Sequence, residues 1–158
     1  MTPKRHRMQV PPNSDLTLGM VCVDKSVPGR CTWRMTADER FANPAGTMQG
    51  GFLAAFADSS MGAAAVTFVQ GRKVFAANAE MKISFLAPVR PGAVLTCTAE
   101  VLSGGSMVAF VEASIVATVD AASAGRYGGA DLGADTATAP DGRLVARANS
   151  TYILRPRD

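Results

Sequence analysis

Hydrophobic and polar positions alternate one by one over five separate runs of this chain, and between the first two runs lies a stretch that is apolar all round. Alternation with a period of two sends successive side chains to opposite faces, the pattern of a strand with one buried side. In the first run Cys31, Trp33 and Met35 interleave with Arg30, Thr32, Arg34 and Thr36. In the second, Ala77, Ala79, Met81, Ile83 and Phe85 are expected on one face and Asn78, Glu80, Lys82 and Ser84 on the other, until Pro88 and Pro91-Gly92 end the strand. The third sets Leu95, Cys97, Ala99 and Val101 against Thr96, Thr98 and Glu100. The fourth sets Val111, Ala113, Ile115, Ala117 and Val119 against Glu112, Ser114 and Thr118. Ser103-Gly104-Gly105-Ser106 between these two predicts a tight antiparallel hairpin. The last run, Leu144 to Leu154, alternates Leu144, Ala146, Ala148 and Tyr152 with Arg143, Arg147, Asn149 and Thr151.

The stretch that does not alternate runs from Gly50 to Gly71 and predicts one long helix, entered through a turn at Asn43-Pro44 and Gly46. Residues 15–23 begin ordered structure as either helix or strand. Residues 1–14 read as a poorly ordered tail, and 120–142, rich in alanine, glycine, aspartate and threonine, as a long flexible loop with little apolar area to offset its ordering entropy. The resulting order is strand, helix, then four antiparallel strands. An α+β architecture follows, one long central helix wrapped by an antiparallel sheet in a single domain over 15–158.

Composition narrows the classes. A chain of 158 residues, 47% hydrophobic and 18% charged, suits one soluble core. The net charge of +3 owes much to Lys4, Arg5 and Arg7, which stand beside His6. From so short a basic tail no nucleic-acid partner is expected. The three cysteines Cys22, Cys31 and Cys97 show neither a disulfide framework nor metal-ligand spacing, so no metal is expected. The N-terminal charges are followed by no apolar run, and the Gly50–Gly71 helix carries Asp58, so no membrane partner is expected and the cytoplasm is the expected compartment.

The only histidine, His6, lies in the tail, which leaves Ser-His-Asp and Cys-His catalysis without a base. No phosphate-cradling glycine motif occurs. What remains is Asp58, the only formal charge between Gly50 and Gly71, with Ala54, Ala55, Met61 and Gly62 as its helical neighbours and no local cation. Such a carboxylate can act as nucleophile or as general base on water. The backbone N–H groups of Gly50 and Gly51, at the positive end of the helix dipole, can stabilise an oxyanion. Together they suffice to hydrolyse an activated acyl group such as a thioester. The alternative from the residues alone is that Asp58 bonds a backbone group or faces a neighbouring subunit.

The run Asn43-Pro44-Ala45-Gly46-Thr47-Met48-Gln49-Gly50-Gly51, followed by Asp58, resembles the Asn-x-x-Gly-x-x-His-Gly-Gly-x6-Asp signature of hotdog-fold acyl-CoA thioesterases of the phenylacetate-pathway (PaaI-like) type. Ala79 to Pro88 and Gly142 to Leu154 are similar to two of that family's strands. The resemblance implies a hotdog fold with a curved sheet of about five or six strands. It implies Asp58 as general base or nucleophile, Gly50 N–H as oxyanion donor, and Asn43 as a group placing the carbonyl or the water. It also implies a site at a dimer interface, with dimers pairing into tetramers. Two positions depart from the family pattern: Gln49 stands where the family has histidine, and Asn78 where it often has serine or threonine. Glutamine can donate a hydrogen bond but cannot carry a proton at neutral pH. Coenzyme A is polyanionic, and Arg90, Arg72 and Lys73 are candidates to meet its phosphates beside Gly51.

The reading is therefore hydrolysis of an aryl or medium-chain acyl-CoA, without metal or redox cofactor, by a homo-oligomer. The alternatives are a non-catalytic acyl-CoA-binding hotdog protein, suggested by Gln49 and Asn78, and a structural or regulatory subunit.

Overall fold

A helix without a polar face has to be covered on several sides, and the sheet of this protein curves to do so. The computed structural model describes residues 9–118 and 142–157. In chain order it contains α1 (Asn13–Leu18), β1 (Val21–Asp24), β2 (Arg30–Thr36), a 3-10 turn (Glu39–Phe41), α2 (Gly50–Phe68), β3 (Val74–Phe85), β4 (Val94–Gly104), β5 (Val108–Thr118) and β6 (Arg143–Pro156). The six strands form one antiparallel sheet in the order β1-β2-β4-β5-β6-β3. Its concave face holds α2, which touches β2, β3, β4, β5 and β6. This is the hotdog arrangement.

By length and composition α2 could cross a membrane, with a mean hydropathy of 1.2. Here it is instead the core helix: Phe56, Ala57, Met61, Ala64 and Ala65 are fully buried against the inward side chains of the strands. Those inward side chains are the ones alternation predicts in β2, β4 and β5: Cys31 and Met35, Leu95, Cys97 and Ala99, and Val111, Ala113 and Ile115 are all buried. The N-terminal ambiguity resolves as a short helix followed by a strand. α1 starts at Asn13, ahead of the expected boundary, and ends where Gly19 takes φ 67. Its buried Asp15 accepts a hydrogen bond from Ser59 Oγ at 2.8 Å, which fastens α1 onto α2. The basic cluster Lys4 to Arg7 and the expected 120–142 loop, Gly142 apart, lie outside the described residues.

Two strands break their predicted alternation. In β3 the register against β6 shifts between Asn78 and Glu80, so Ala79 is an extra residue in a bulge. Before the bulge Val74, Ala76 and Asn78 face α2, and after it Met81 and Ile83 do. Ala77 and Ala79 therefore do not share a face with Met81, and Asn78 points inward, opposite to the simple period-two expectation. In β6 a second irregularity, opposite Ile115 and Val116, lets both Val145 and Ala146 be buried.

Burial of the cysteines has a measurable consequence. Desolvation first of all pushes the Cys31 thiol from 9.0 up to about 11 and the Cys97 thiol up to about 12. A group whose pKa is higher in the folded state gives stability that is complete below its unfolded pKa and fades as pH rises toward its folded one. The stability the two thiols contribute should thus be constant up to about pH 9 and then fall by about 1.4 kcal/mol per pH unit for each thiol, until roughly pH 11 for Cys31 and 12 for Cys97. Urea midpoints at about pH 8 and pH 10.5 check this, and equal midpoints would contradict it.

Candidate active site

The site has two parts, both built on α2 but at different heights along it. The first is the turn that leads into the helix. Asn43 Oδ1 accepts from the backbone N–H of Ala45 at 2.9 Å and of Thr47 at 3.2 Å, while its Nδ2 donates to Thr47 Oγ1 at 3.0 Å. The backbone N–H of Asn43 donates to the Thr47 carbonyl at 2.7 Å and that of Gly46 to the Asn43 carbonyl at 2.9 Å. Gly46 completes the loop at φ 74, a left-handed conformation that favours glycine. Asn43 is thus the organiser of the turn.

The turn is moored on both sides. Gln49 N–H donates to the Phe41 carbonyl and Met48 N–H to the Val89 carbonyl, each at 2.8 Å. The rings of Phe41 and Phe52 stack with centroids 4.3 Å apart. This mooring brings the Arg90 loop to the start of α2.

The helix start itself is bare. Gln49 occupies the N-cap position, is exposed, and makes no side-chain capping bond; the first turn carries no acidic residue. A helix leaves its first N–H groups without internal partners. Here those of Gly50 and Gly51 remain available at the positive end of the dipole. A Cβ on Gly50 would come within 2.9 Å of the Phe85 ring, whereas one on Gly51 would meet nothing within 4 Å. Gly50 therefore lets Phe85 approach, while the space beside Gly51 is open.

The second part surrounds Asp58, eight residues further on, about 12 Å along the helix axis. Its half-buried carboxylate faces β3 and β6, and Oδ1 accepts from Asn78 Nδ2 at 2.6 Å and from Tyr152 Oη at 2.5 Å. Tyr152 Oη also lies 2.8 Å from the Asp58 carbonyl, and its ring rests on Gly62 one turn further on. Ser150 Oγ donates to Asn78 Oδ1 at 2.8 Å. Burial above all, then the hydrogen bond and charge of Asp58, hold the Tyr152 hydroxyl well above the ordinary phenol range, so it stays a proton donor.

The structure thus joins Asp58 to Asn78, and Asn43, Gln49, Gly50 and Gly51 to the neighbourhood of Arg90. Arg72 and Lys73 it places elsewhere, beyond the C-terminal end of α2, about 27 Å of helix from Gly50, where Arg72 donates to the Ser106 carbonyl at 3.1 Å. In one protomer they do not share a site with Arg90. Ser150 and Tyr152 are the members that alternation alone did not single out. The signal for Ser150 was a polar residue on the inward phase of Ala146, Ala148 and Tyr152. Among the described residues no cluster of potential metal ligands occurs.

Comparison with known proteins agrees with the fold. Residues 45–123 match the sequence model of the thioesterase superfamily. The chain is 26% identical over 103 residues to human acyl-coenzyme A thioesterase 13, covering 65% of this chain and 72% of that protein. The mouse protein of the same name is 26% identical over 104 residues, covering 66% and 73%. Among solved structures, a thioesterase family protein from Silicibacter pomeroyi superposes with TM-score 0.73 at 22% identity, over 93% of this chain and 92% of that one. The Escherichia coli PaaI protein from the phenylacetic acid degradation operon gives 0.70 at 19% identity, over 93% and 86%.

The turn supplies a test. Asn43→Ala removes two acceptor contacts to backbone N–H groups and should lower stability by about 1–2 kcal/mol, read as an earlier urea midpoint with an unchanged slope. Wild-type stability would show that the turn holds without its side chain.

Proposed function

The chain belongs to the thioesterase superfamily and is a thioester hydrolase, and on that premise we propose that it hydrolyses an acyl-CoA to the free acid and coenzyme A. The observation that carries the proposal is the pairing of a held carboxylate with a bare helix start. Asp58 removes a proton from a water as its oxygen attacks the thioester carbonyl, and the Gly50 N–H stabilises the oxyanion that forms. Gln49, exposed beside that N–H, donates a further hydrogen bond to the carbonyl. Asn43 keeps the turn in place and has an amide N–H with no partner among the described residues to offer the carbonyl or the water. An aryl or medium-chain acyl group is the proposed substrate class, with no metal or redox cofactor.

The two parts require a second copy of the chain. Gly50 and Asp58 stand on one helix about 12 Å apart, several times hydrogen-bond reach, so one protomer cannot bring both to one carbonyl. β3 is the edge strand nearest the site, and Phe75 and Phe85 along it are 47% and 52% exposed. Pairing of β3 with its copy covers this edge and brings Asp58 of one protomer toward Gly50 of the other. Dimers of this kind pairing into tetramers complete the proposed assembly.

Asp58→Asn keeps the shape and removes the base. Thiol release from a panel of short, medium, long-chain and aryl acyl-CoAs should fall by about 10²- to 10⁴-fold with binding retained. Undiminished release would refute the role of Asp58. No release from any acyl-CoA by the wild-type protein, with bound thioester left intact, would indicate a binding protein instead.

A further inference from the structure

The hydrogen bonds around Asp58 distinguish its two oxygens. Asn78 Nδ2 at 2.6 Å and Tyr152 Oη at 2.5 Å both converge on Oδ1, and among the described residues neither these nor any other side chain bonds Oδ2. An oxygen already accepting two short bonds is the poorer place for a new proton, because each donor stabilises the charge there.

The donors are themselves fixed. Tyr152 is 2% exposed, and its hydroxyl, with one proton, faces both Asp58 Oδ1 at 2.5 Å and the Asp58 carbonyl at 2.8 Å. Ser150 is 6% exposed, and its hydroxyl lies between Asn78 Oδ1 at 2.8 Å and the Glu80 carbonyl at 2.6 Å. The two ends of an asparagine amide have nearly the same shape but opposite roles. The nitrogen must face the Asp58 carboxylate, because the amide oxygen there would be repelled. The Ser150 hydroxyl has one proton for two acceptors, Asn78 Oδ1 at 2.8 Å and the Glu80 carbonyl at 2.6 Å, and whenever it points to the amide oxygen it favours that orientation.

We infer that Oδ2 of Asp58 is the reacting oxygen and that Tyr152 and Ser150 are positioning residues which select it, Tyr152 directly and Ser150 through the Asn78 amide. The inference rests on the proposed role of Asp58 as the base. In the attack an O–H bond of water breaks, its proton passes to Oδ2, and the water oxygen bonds the carbonyl carbon while the C=O electron pair moves to the oxygen at Gly50 N–H. The C–S bond then breaks as the carbonyl re-forms. The proton leaves Oδ2 for the thiolate sulfur, and Asp58 is again a carboxylate held through Oδ1.

The experiment measures kcat and KM for thiol release from the best acyl-CoA with Tyr152→Phe, Ser150→Ala, Asn78→Ser and the Asn78→Ser/Ser150→Ala pair, with Asp58→Asn as reference. Tyr152→Phe keeps the buried ring and should lower kcat about 10- to 100-fold with KM within about twofold, the loss expected when a reacting group is slightly misplaced. Ser150→Ala should lower kcat about tenfold in the wild-type background and leave it unchanged in Asn78→Ser, where no amide remains to be oriented. A wild-type kcat for Tyr152→Phe, or the same cost of Ser150→Ala in both backgrounds, overturns the inference. If Tyr152→Phe does not fold, the Ser150 comparison decides alone. Undiminished release by Asp58→Asn overturns the base and this inference together, whereas its loss beside an unaffected Tyr152→Phe and a background-independent Ser150→Ala overturns the positioning alone.

Discussion

One carboxylate on a helix that is otherwise apolar constrains the whole structure. α2 carries no other formal charge, and its apolar residues are spread nearly evenly round the axis, so the sheet has to curve to cover it. A charge partly inside that cover is destabilising unless it is hydrogen-bonded. Its partners have to come from the strands that cover it, since residues one helical turn away are alanine, methionine and glycine. β3 and β6 supply them: Asn78 and Tyr152, each giving the stronger kind of hydrogen bond that a charged acceptor makes. The bulge at Ala79 follows from the same need. Unbroken alternation with Met81 and Ile83 inward would turn Asn78 away from the helix, and one extra residue lets Asn78, Met81 and Ile83 all face it.

The elements that depend on local pattern were legible in the sequence. Period-two alternation located β2, β4 and β5 and their buried sides, and the run of small and apolar residues after Gly50 located α2. Asp58 was legible because a charge in that run has no local use. The features that escaped depend on residues far apart in the chain. Tyr152 reaches Asp58 across 94 positions and Ser150 reaches Asn78 across 72, and no spacing rule links them. The bulge escaped because Ala79 fits an unbroken alternation equally well. Arg72 and Lys73 were grouped with Arg90 by charge alone, whereas the length of α2 separates them.

The turn before α2 shows how a helix end is kept open without being left loose. Most helices close their first turn with a side-chain acceptor at the N-cap, typically worth about 1 kcal/mol. Gln49 gives none, and the first turn has no acidic residue. The rigidity comes from behind: the Asn43 side chain on the backbone of Ala45 and Thr47, the Phe41–Phe52 stack, and the Met48 bond to the Val89 carbonyl. Donors fixed in this way need little rearrangement when charge develops on a substrate oxygen, the condition under which hydrogen bonds lower a barrier.

The height difference between Gly50 and Asp58 also bears on the separated basic residues. Two identical strands related by a two-fold axis across a sheet edge run antiparallel, so the Val74 end of one β3 would lie beside the Phe85 end of the other. Phe85 is the residue whose ring rests against Gly50. Arg72 and Lys73 immediately precede β3, and the proposed pairing would carry them toward the partner's helix start and its Arg90 loop. Residues about 27 Å of helix apart within one chain would thus meet across the edge. On the proposed reading, the same pairing that would bring the proposed base of one protomer toward the proposed oxyanion donor of the other would also gather cations suited to a polyanionic leaving group.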